Sequence, residues 1–486
     1  MPTMTYALYY GNRGFFPASL IAGAREELPR ALKAQGHEFI QMDAGATRAG
    51  AVETPEEGRK YAAFLAQNRG KYDGVILCLP NFGDETGAVA ALRDAGVPIL
   101  VQAYPDEMDK MGPATRRDSF CGKLSVMDVF HQNGVPFTAL APHTVHPQNA
   151  RFKDNLAYFD RLCRVVRAGR RMTVGALGAR TTPFRTVRID ELALEKHGIT
   201  VETMDMADVM DRMRAVKPQA PGFAEKRKAL DGVAAWDGVP EKARDNLTRL
   251  FVVLQGIADE MSLAAISIRC WTEIQKEMGI SPCVVNGIMA DQGLPVACEV
   301  DTGSAVMMRL LGAAASAPTT IMDWNNNYGE DDDKCILFHC GNAPSSLMAA
   351  PGRITDHAIL SNSIGTGKGF GCNQGRLKAG PFTFGGLMSE EGKLKAYLGE
   401  GTMTADPIPA DFFGVAGVAK IPGLQDVLLH LGQEGHRHHV ALTPGEVMES
   451  AREAMEKYLG YEVTTPQHST SQHSTPQHAT PQRARA

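Results

Sequence analysis

The chain has no CxxC pair, no excess of basic charge and no apolar run long enough to span a bilayer. Each absence removes a class of function. The nine cysteines are scattered singly, so neither a disulfide frame nor a zinc knuckle has the spacing it needs. Cys78, Cys283, Cys298 and Cys335 lie in apolar runs, where they read as buried thiols of a reducing cytoplasm. Fifty Lys+Arg against 55 Asp+Glu leave a net charge of −5, which offers no field to nucleic acid. No run approaches the roughly 18 apolar residues of a membrane helix, and the N-terminus lacks the charged-then-apolar pattern of a signal peptide. The expectation is a cytoplasmic protein with no membrane or nucleic-acid partner. Its 486 residues are too many for one core, and about three domains is the natural division.

The first 170 residues alternate strand and helix signals. Residues 6–10 (YALYY), 38–42, 74–79 (GVILCL) and 97–103 (VPILVQA) read as strands, with helical stretches between them. Continuous apolar strands alternating with helices predict a parallel sheet covered on both faces. The turns at the strand C-termini should carry function. Arg13 is the cation of the first turn, and Asn81 and Phe82 belong to the turn at 80–85 (PNFGDE). A basic link at 167–171 (RAGRR) marks a boundary near 170. A second α/β segment, 171–350, opens on a strand at 172–177, with further strand signals at 186–189 and 198–204. In it, 242–261 is amphipathic, and its stripe of Leu250, Val253, Leu254, Ile257 and Met261 reads as core. Trp271, Glu273 and Gln275 emerge together from the strand end at 266–269, where Trp271 and Gln275 are candidates to line a site. From 351 to 463, Gly- and Pro-punctuated short segments predict a β-rich, barrel-like domain. The tail 464–486 repeats Pro, Gln, His, Ser and Thr, cannot bury a core, and is excluded from the fold.

The chemistry concentrates between residues 295 and 344. Glu299 ends one apolar run and Asp323 ends another, with a short buried helix at 304–311 between them. This is how a parallel α/β unit aims two acids at one crevice. A third ligand is available at 435–442 (GHRHHVAL), where His436, His438 and His439 stand in four residues. If that stretch is extended, His439 shares a face with Arg437, and His436 and His438 point the other way. Two carboxylates and one imidazole make an oxygen-rich site with open positions, which suits Mn²⁺, Mg²⁺ or Co²⁺ better than a closed zinc cage. The GTGKG at 365–369 lacks the spacing and the Ser or Thr of a phosphate loop and reads as a bend, from which Lys368 can still face a substrate.

Taken in order, CEVDTG (298–303), DWNNN (323–327), FHCGNAP (338–344), LKAGPFTF (377–384) and HHVAL (438–442) resemble the L-fucose isomerase/L-arabinose isomerase superfamily, over roughly residues 5–463. The resemblance implies two α/β domains and a β-rich C-terminal domain, in a homo-oligomer, often a hexamer. The neighbour's first domain would help to close each site, which would place Arg13 and the 80–85 turn in trans. It implies a metal, usually Mn²⁺, on Glu299, Asp323 and His439, with His438 as the alternative. His339 and Asn342 of the FHCGNAP motif become candidate substrate contacts. The implied activity is aldose–ketose isomerisation through an enediolate, with Glu299 and Asp323 as both ligands and acid/base groups. A sugar epimerase, an aldolase or a non-catalytic sugar-binding protein are the competing readings. L-Fucose and the arabinoses are natural substrates to expect. A hexose with an anionic C6 group, such as a sulfonate, is another, given Arg13, Lys368, Arg376 and Lys378 in or near these turns.

Overall fold

The computed structural model describes residues 3–181 and 183–468. The first sheet is built from β1 (Thr5–Tyr10), β2 (Glu38–Gln41), β3 (Gly74–Leu79) and β4 (Ile99–Ala103), all parallel, in the order β2-β1-β3-β4. β3 and β4 are buried along their whole length, which is why their sequences carry no polar alternation. The second sheet takes β5 (Met172–Leu177) and β6 (Ile199–Met204) and, beyond the short β7 (Ala234–Ala235), β8 (Ala265–Ile268) and β9 (Val296–Ala297). Its order is β6-β5-β8-β9, again parallel throughout. The long helix Glu241–Met261 covers it with Leu250, Val253, Leu254 and Ile257 buried, on the stripe that the sequence shows. The strand expected at 186–189 is instead a single 3₁₀ turn, Arg185–Val187. Only Val187 of that turn is buried, so no apolar face holds the segment against the sheet.

The remaining strands are β10 (Thr320–Asn327), β11 (Lys334–His339), β12 (Gly352–Thr355), β13 (Cys372–Arg376), β14 (Gly380–Glu390), β15 (Lys393–Thr404), β16 (Val415–Lys420), β17 (His439–Pro444) and β18 (Glu462–Thr464). With β7 they form a ten-stranded sheet. The extra pairing of β15 with β16 closes the antiparallel run β15-β14-β17-β10-β11-β16 into a barrel. The expected α/β, α/β, β-rich order is therefore present. One part of the sequence argument is corrected. Asp323 lies on β10, whose partners β11 and β17 are both antiparallel, so no parallel unit aims it. The helix between the acids runs from Thr302 to Ala315 and is buried along most of its length. The chain after β17 forms a short helix, Met448–Glu453, continued by a π-turn, Ala454–Leu459. The histidine-bearing repeat beyond residue 468 lies outside the described residues.

The barrel seam gives a direct test of closure. Gly401 pairs with Phe382, and next to it Thr402 pairs with Lys420 across the seam. A Cβ at Gly401 would sit 2.9 Å from Ile421 Cγ1 and 3.0 Å from the Lys420 carbonyl. Gly401→Val is therefore expected to cost about 1–3 kcal/mol through overpacking, read as a lowered urea midpoint with an unchanged slope.

Candidate metal centre

Glu299 stands in the turn between β9 and the Thr302–Ala315 helix, at the C-terminal end of a parallel strand. It and Val300 both take left-handed backbone angles, φ 56° and 58°. That conformation is rare for a non-glycine residue and rarer for a β-branched one. It swings the Glu299 side chain away from the strand direction and toward the barrel. One carboxylate oxygen, Oε1, is held from behind by the Trp271 indole N–H at 3.0 Å and the Cys270 thiol at 3.2 Å. The other, Oε2, is buried and has no hydrogen-bond partner. It faces His339 Nε2 at 3.6 Å and His439 Nε2 at 3.9 Å.

The second acid arrives through strand register. Asp323 on β10 is directly opposite His439 on β17, and in an antiparallel pair such residues point to the same face. Asp323 Oδ1 lies 3.4 Å from His439 Nε2 and 3.7 Å from His438 Nε2, and it too is buried without a hydrogen bond. His438 was expected to point away; it sits one residue before β17 begins, so strand alternation does not govern it. His436 does point away, packing on Tyr397 with ring centroids 4.8 Å apart.

His439 is common to two candidate clusters, Glu299–His339–His439 and Asp323–His438–His439, each with its ligand atoms within 4.8 Å of one another. Two buried carboxylate oxygens without donors, converging on one imidazole nitrogen, are what a divalent cation would satisfy. The orientation of His439 is fixed from behind. Its Nδ1 is 2.8 Å from Asp301 Oδ2, so Nδ1 carries the proton and Nε2 presents its lone pair to the acids. Asp301 has no exposed surface and also accepts from Arg437, from the Ser304 amide at 3.0 Å and from the Ser304 hydroxyl at 2.6 Å.

The charges agree with this arrangement. Burial works to raise the Glu299 pKa, but the neighbouring groups, His339 foremost, outweigh it and hold the carboxyl at about 2. Burial likewise opposes charge on Asp301, and Arg437 and His439 overcome it, keeping the group well below the usual range. His339 is carried well above the ordinary histidine value despite burial, by Cys298, Cys340 and Glu299. Glu299 and Asp301 are therefore ionised at neutral pH.

The other sequence candidates divide. Trp271 and His339 are at the centre. Gln275 is fully buried and braces it from outside, donating to the Cys270 carbonyl and to Ser281 Oγ at 3.1 Å. Asn342 donates to the Ile321 carbonyl at 3.2 Å, two residues before Asp323 on β10. Lys368 is exposed on its glycine turn, whose Gly367 and Gly369 amides bond Asp356 at 2.6 and 2.8 Å. A carboxylate of the chain itself thus occupies the anion seat. Arg376 and Lys378 are tied to the Thr404 and Ser346 carbonyls. Arg13, Asn81 and Phe82 form their own group at the C-terminal edge of the first sheet. Arg13 stacks 4.2 Å over the Phe82 ring and pairs with Glu85, and Asn81 bonds Asn12. Among the described residues, no hydrogen bond, ion pair or ring contact joins this group to Glu299, Asp323 or His439 of the same chain.

Sequence reasoning missed Phe184. Its ring lies 5.7 Å from Trp271, 5.3 Å from His438 and 5.6 Å from His439, and walls the centre from the turn after β5. The signal was available, since that turn follows the C-terminus of a parallel strand.

Residues 7–170 match the family described as fucose/sulfoquinovose isomerase, N-terminal domain, and residues 337–466 match L-fucose isomerase, C-terminal domain. The chain belongs to the fucose isomerase-like superfamily. Within that superfamily it is similar to a sulfoquinovose isomerase of Alkalicoccus urumqiensis, 23% identical over 395 residues, spanning 80% of this chain and 86% of that protein. It is also similar to sulfoquinovose isomerases of Priestia aryabhattai and Priestia megaterium, each 22% identical over 389 residues, spanning 79% of this chain and 84% of theirs. The second family match contains His339 and His439, and Glu299 and Asp323 fall in the stretch between the two matches.

Asp301→Asn tests how the centre is oriented. The substitution keeps the shape but weakens the acceptor for His439 and leaves Arg437 without its counter-charge. Divalent-metal affinity, measured by calorimetry on chelator-stripped protein, is expected to fall about 10–100-fold.

Proposed function

We propose that this chain is a metal-dependent aldose–ketose isomerase acting on a sulfonated hexose, with Mn²⁺, or Mg²⁺ or Co²⁺ in its place, held by Glu299, Asp323 and His439. The observation that carries the reading is the convergence of two donor-free carboxylate oxygens on a His439 Nε2 whose tautomer Asp301 locks. Bound there, a divalent ion supplies Lewis acidity to a carbonyl oxygen and the neighbouring hydroxyl of an open-chain sugar.

The chain's own groups handle the protons. Glu299 approaches from the parallel sheet and Asp323 from the barrel, so the two acids flank the reacting carbons. A carboxylate takes the C2 proton of the aldose and a proton is returned to C1, while the hydroxyl proton passes from O2 to O1. Hydrogen bonds from Trp271 and Cys270 to Glu299 Oε1 keep that carboxylate from rotating. Phe184 and Trp271 give the cavity an apolar wall that excludes water.

The relatives' names support a sulfonated substrate, and cations stand on the surrounding turns: Arg180 and Arg185 flank Phe184, and Lys368 is exposed on the glycine turn. The grouping of Arg13, Asn81 and Phe82, apart from the centre of their own chain, supports a homo-oligomer, with a hexamer as the family's precedent, in which this edge closes a neighbour's site. Exposed Phe15 (78%) and Met108 (91%) on the same edge supply apolar surface for that contact.

Stripped protein given Mn²⁺ should convert sulfoquinovose to its 2-ketose faster than L-fucose or pentoses. Glu299→Gln should lower kcat about 10²–10⁴-fold. A C2 epimer in place of ketose, or no metal binding at all, would sink the assignment. Mixing tests the shared site: Arg13→Ala and Glu299→Gln subunits, each impaired alone, should recover activity when co-assembled. No recovery would rule out a site shared between neighbours, and full activity of Arg13→Ala alone would put Arg13 outside the reaction.

A further inference from the structure

Away from the metal centre, a cavity of about 370 Å³ opens between the C-terminal ends of the Ala150–Arg170 and Thr302–Ala315 helices, with Arg164, Arg167, Arg171 and Arg309 in its lining. Its size falls at the lower end of cavities that hold small organic ligands, roughly 300–1,000 Å³. Nothing in the proposed isomerisation uses it.

The guanidinium groups are not equivalent. Arg164 is structural: it pairs with Asp160, and its Nε and Nη2 reach the Ala313 and Ala314 carbonyls at 3.0 and 3.4 Å. By capping those carbonyls it offsets the negative end of the Thr302–Ala315 helix, which would otherwise repel an anion from this wall. Arg167 is half-committed, pairing with Asp73 at 3.0 Å. Arg309 is half-buried, makes one long bond of 3.4 Å to the Gly293 carbonyl, and has a buried Nε with no acceptor. Burial, followed by the charge of Arg167, depresses its pKa, the mark of two guanidinium groups crowded on one space. Arg171 is exposed at the mouth. The lining also contains one carboxylate, Asp291, whose oxygens are already engaged by the Ser345 and Ser346 hydroxyls. Ser316 and Thr319 add hydroxyl groups.

We propose that this cavity is a second ligand site, for a small polyhydroxylated molecule carrying a tetrahedral oxyanion, either a phosphate monoester or a sulfonate. The Arg309 and Arg171 guanidinium groups take the oxyanion through charge-assisted hydrogen bonds. Ser316 and Thr319 meet the hydroxyl groups. The proposal stands apart from the isomerase assignment, since it concerns binding at residues remote from Glu299, Asp323 and His439.

The test is calorimetry on the metal-loaded full chain at constant ionic strength, titrating inorganic phosphate, glycerol 3-phosphate and 2,3-dihydroxypropane-1-sulfonate against a chloride control. One saturable site per chain is expected for at least one of the two organic anions, and the tighter of them names the oxyanion. Arg309→Gln should weaken that Kd at least tenfold. Arg171→Gln, at an exposed position, should weaken it several-fold and serves if the first variant does not fold. Glu299→Gln should leave the Kd unchanged, because the site is not the metal centre. Heats no larger than those of chloride, a Kd indifferent to both arginine substitutions, or binding lost in Glu299→Gln would each overturn the proposal.

Discussion

The contact on which the centre depends is the one Asp301 makes with His439 and Arg437. It is the polar anchor between two pieces of the fold that also share an apolar core: the Thr302–Ala315 helix, on the parallel sheet, and the barrel. Ala305, Val306 and Met307 of the helix lie in one buried cluster with Leu387 of β14 and Ala441 of β17. A carboxylate with no exposed surface is costly unless every lone pair is used. Here Ser304 donates twice, His439 once and Arg437 once. Removing one partner of such a group typically costs about 3–5 kcal/mol, because the remaining charge stays buried. The same four contacts cap the helix, fix the histidine tautomer and set the separation between Glu299 and Asp323. Gly303 shows how little slack there is: a Cβ there would lie 2.7 Å from both Arg437 Nη1 and the Leu387 carbonyl.

Backbone strain completes the arrangement. Two successive left-handed residues at Glu299 and Val300 cost on the order of 1–3 kcal/mol each. The cost is borne by the surrounding packing, since β9 before the turn and the helix after it are both buried. What the strain achieves is a carboxylate with one oxygen tied down and the other pointing into the centre without a donor. The site is thus organised before any ligand arrives, which is the condition under which fixed charges contribute most to a reaction.

Much of this was legible in the chain. The inner strands β3 and β8, with β4, are short runs buried along their whole length, and such runs declare themselves because burial on both faces leaves no polar alternation to confuse them. Glu299 and the 438–442 segment were visible as chemistry-bearing residues beside apolar runs; strand alternation could not place Arg437 and His438, since both precede β17. The neighbours of Asp323 were not legible. Its opposition to His439 spans more than a hundred residues and is set by barrel register, which local pattern does not encode. Phe184 was passed over for a different reason: the β-branched residues just after it, 186–189, read as a strand, which drew attention from the turn at the C-terminus of β5 where it stands. Asp301 was given no role in the sequence reading; it caps the helix (its Oδ1 accepts from the Ser304 amide), and its second task depends on a strand far away in sequence.

The position of the thiols bears on which ion the centre takes. Cys270 and Cys298 lie with Glu299 in a cluster of possible ligands, and a thiophilic metal would be drawn there. That side of Glu299 is already occupied by donors, however. Burial, with Cys298 and Glu299 beside it, pushes the Cys270 thiol well above its usual range, so it serves as a neutral hydrogen-bond donor to Oε1. Capturing a soft ion would require deprotonating a buried thiol and breaking the bonds from Cys270 and Trp271 that position the acid. The opposite side offers carboxylate and imidazole atoms with nothing to displace. The geometry therefore favours a hard or borderline ion on the Oε2 side, and the thiols, by holding Oε1, help to direct it there.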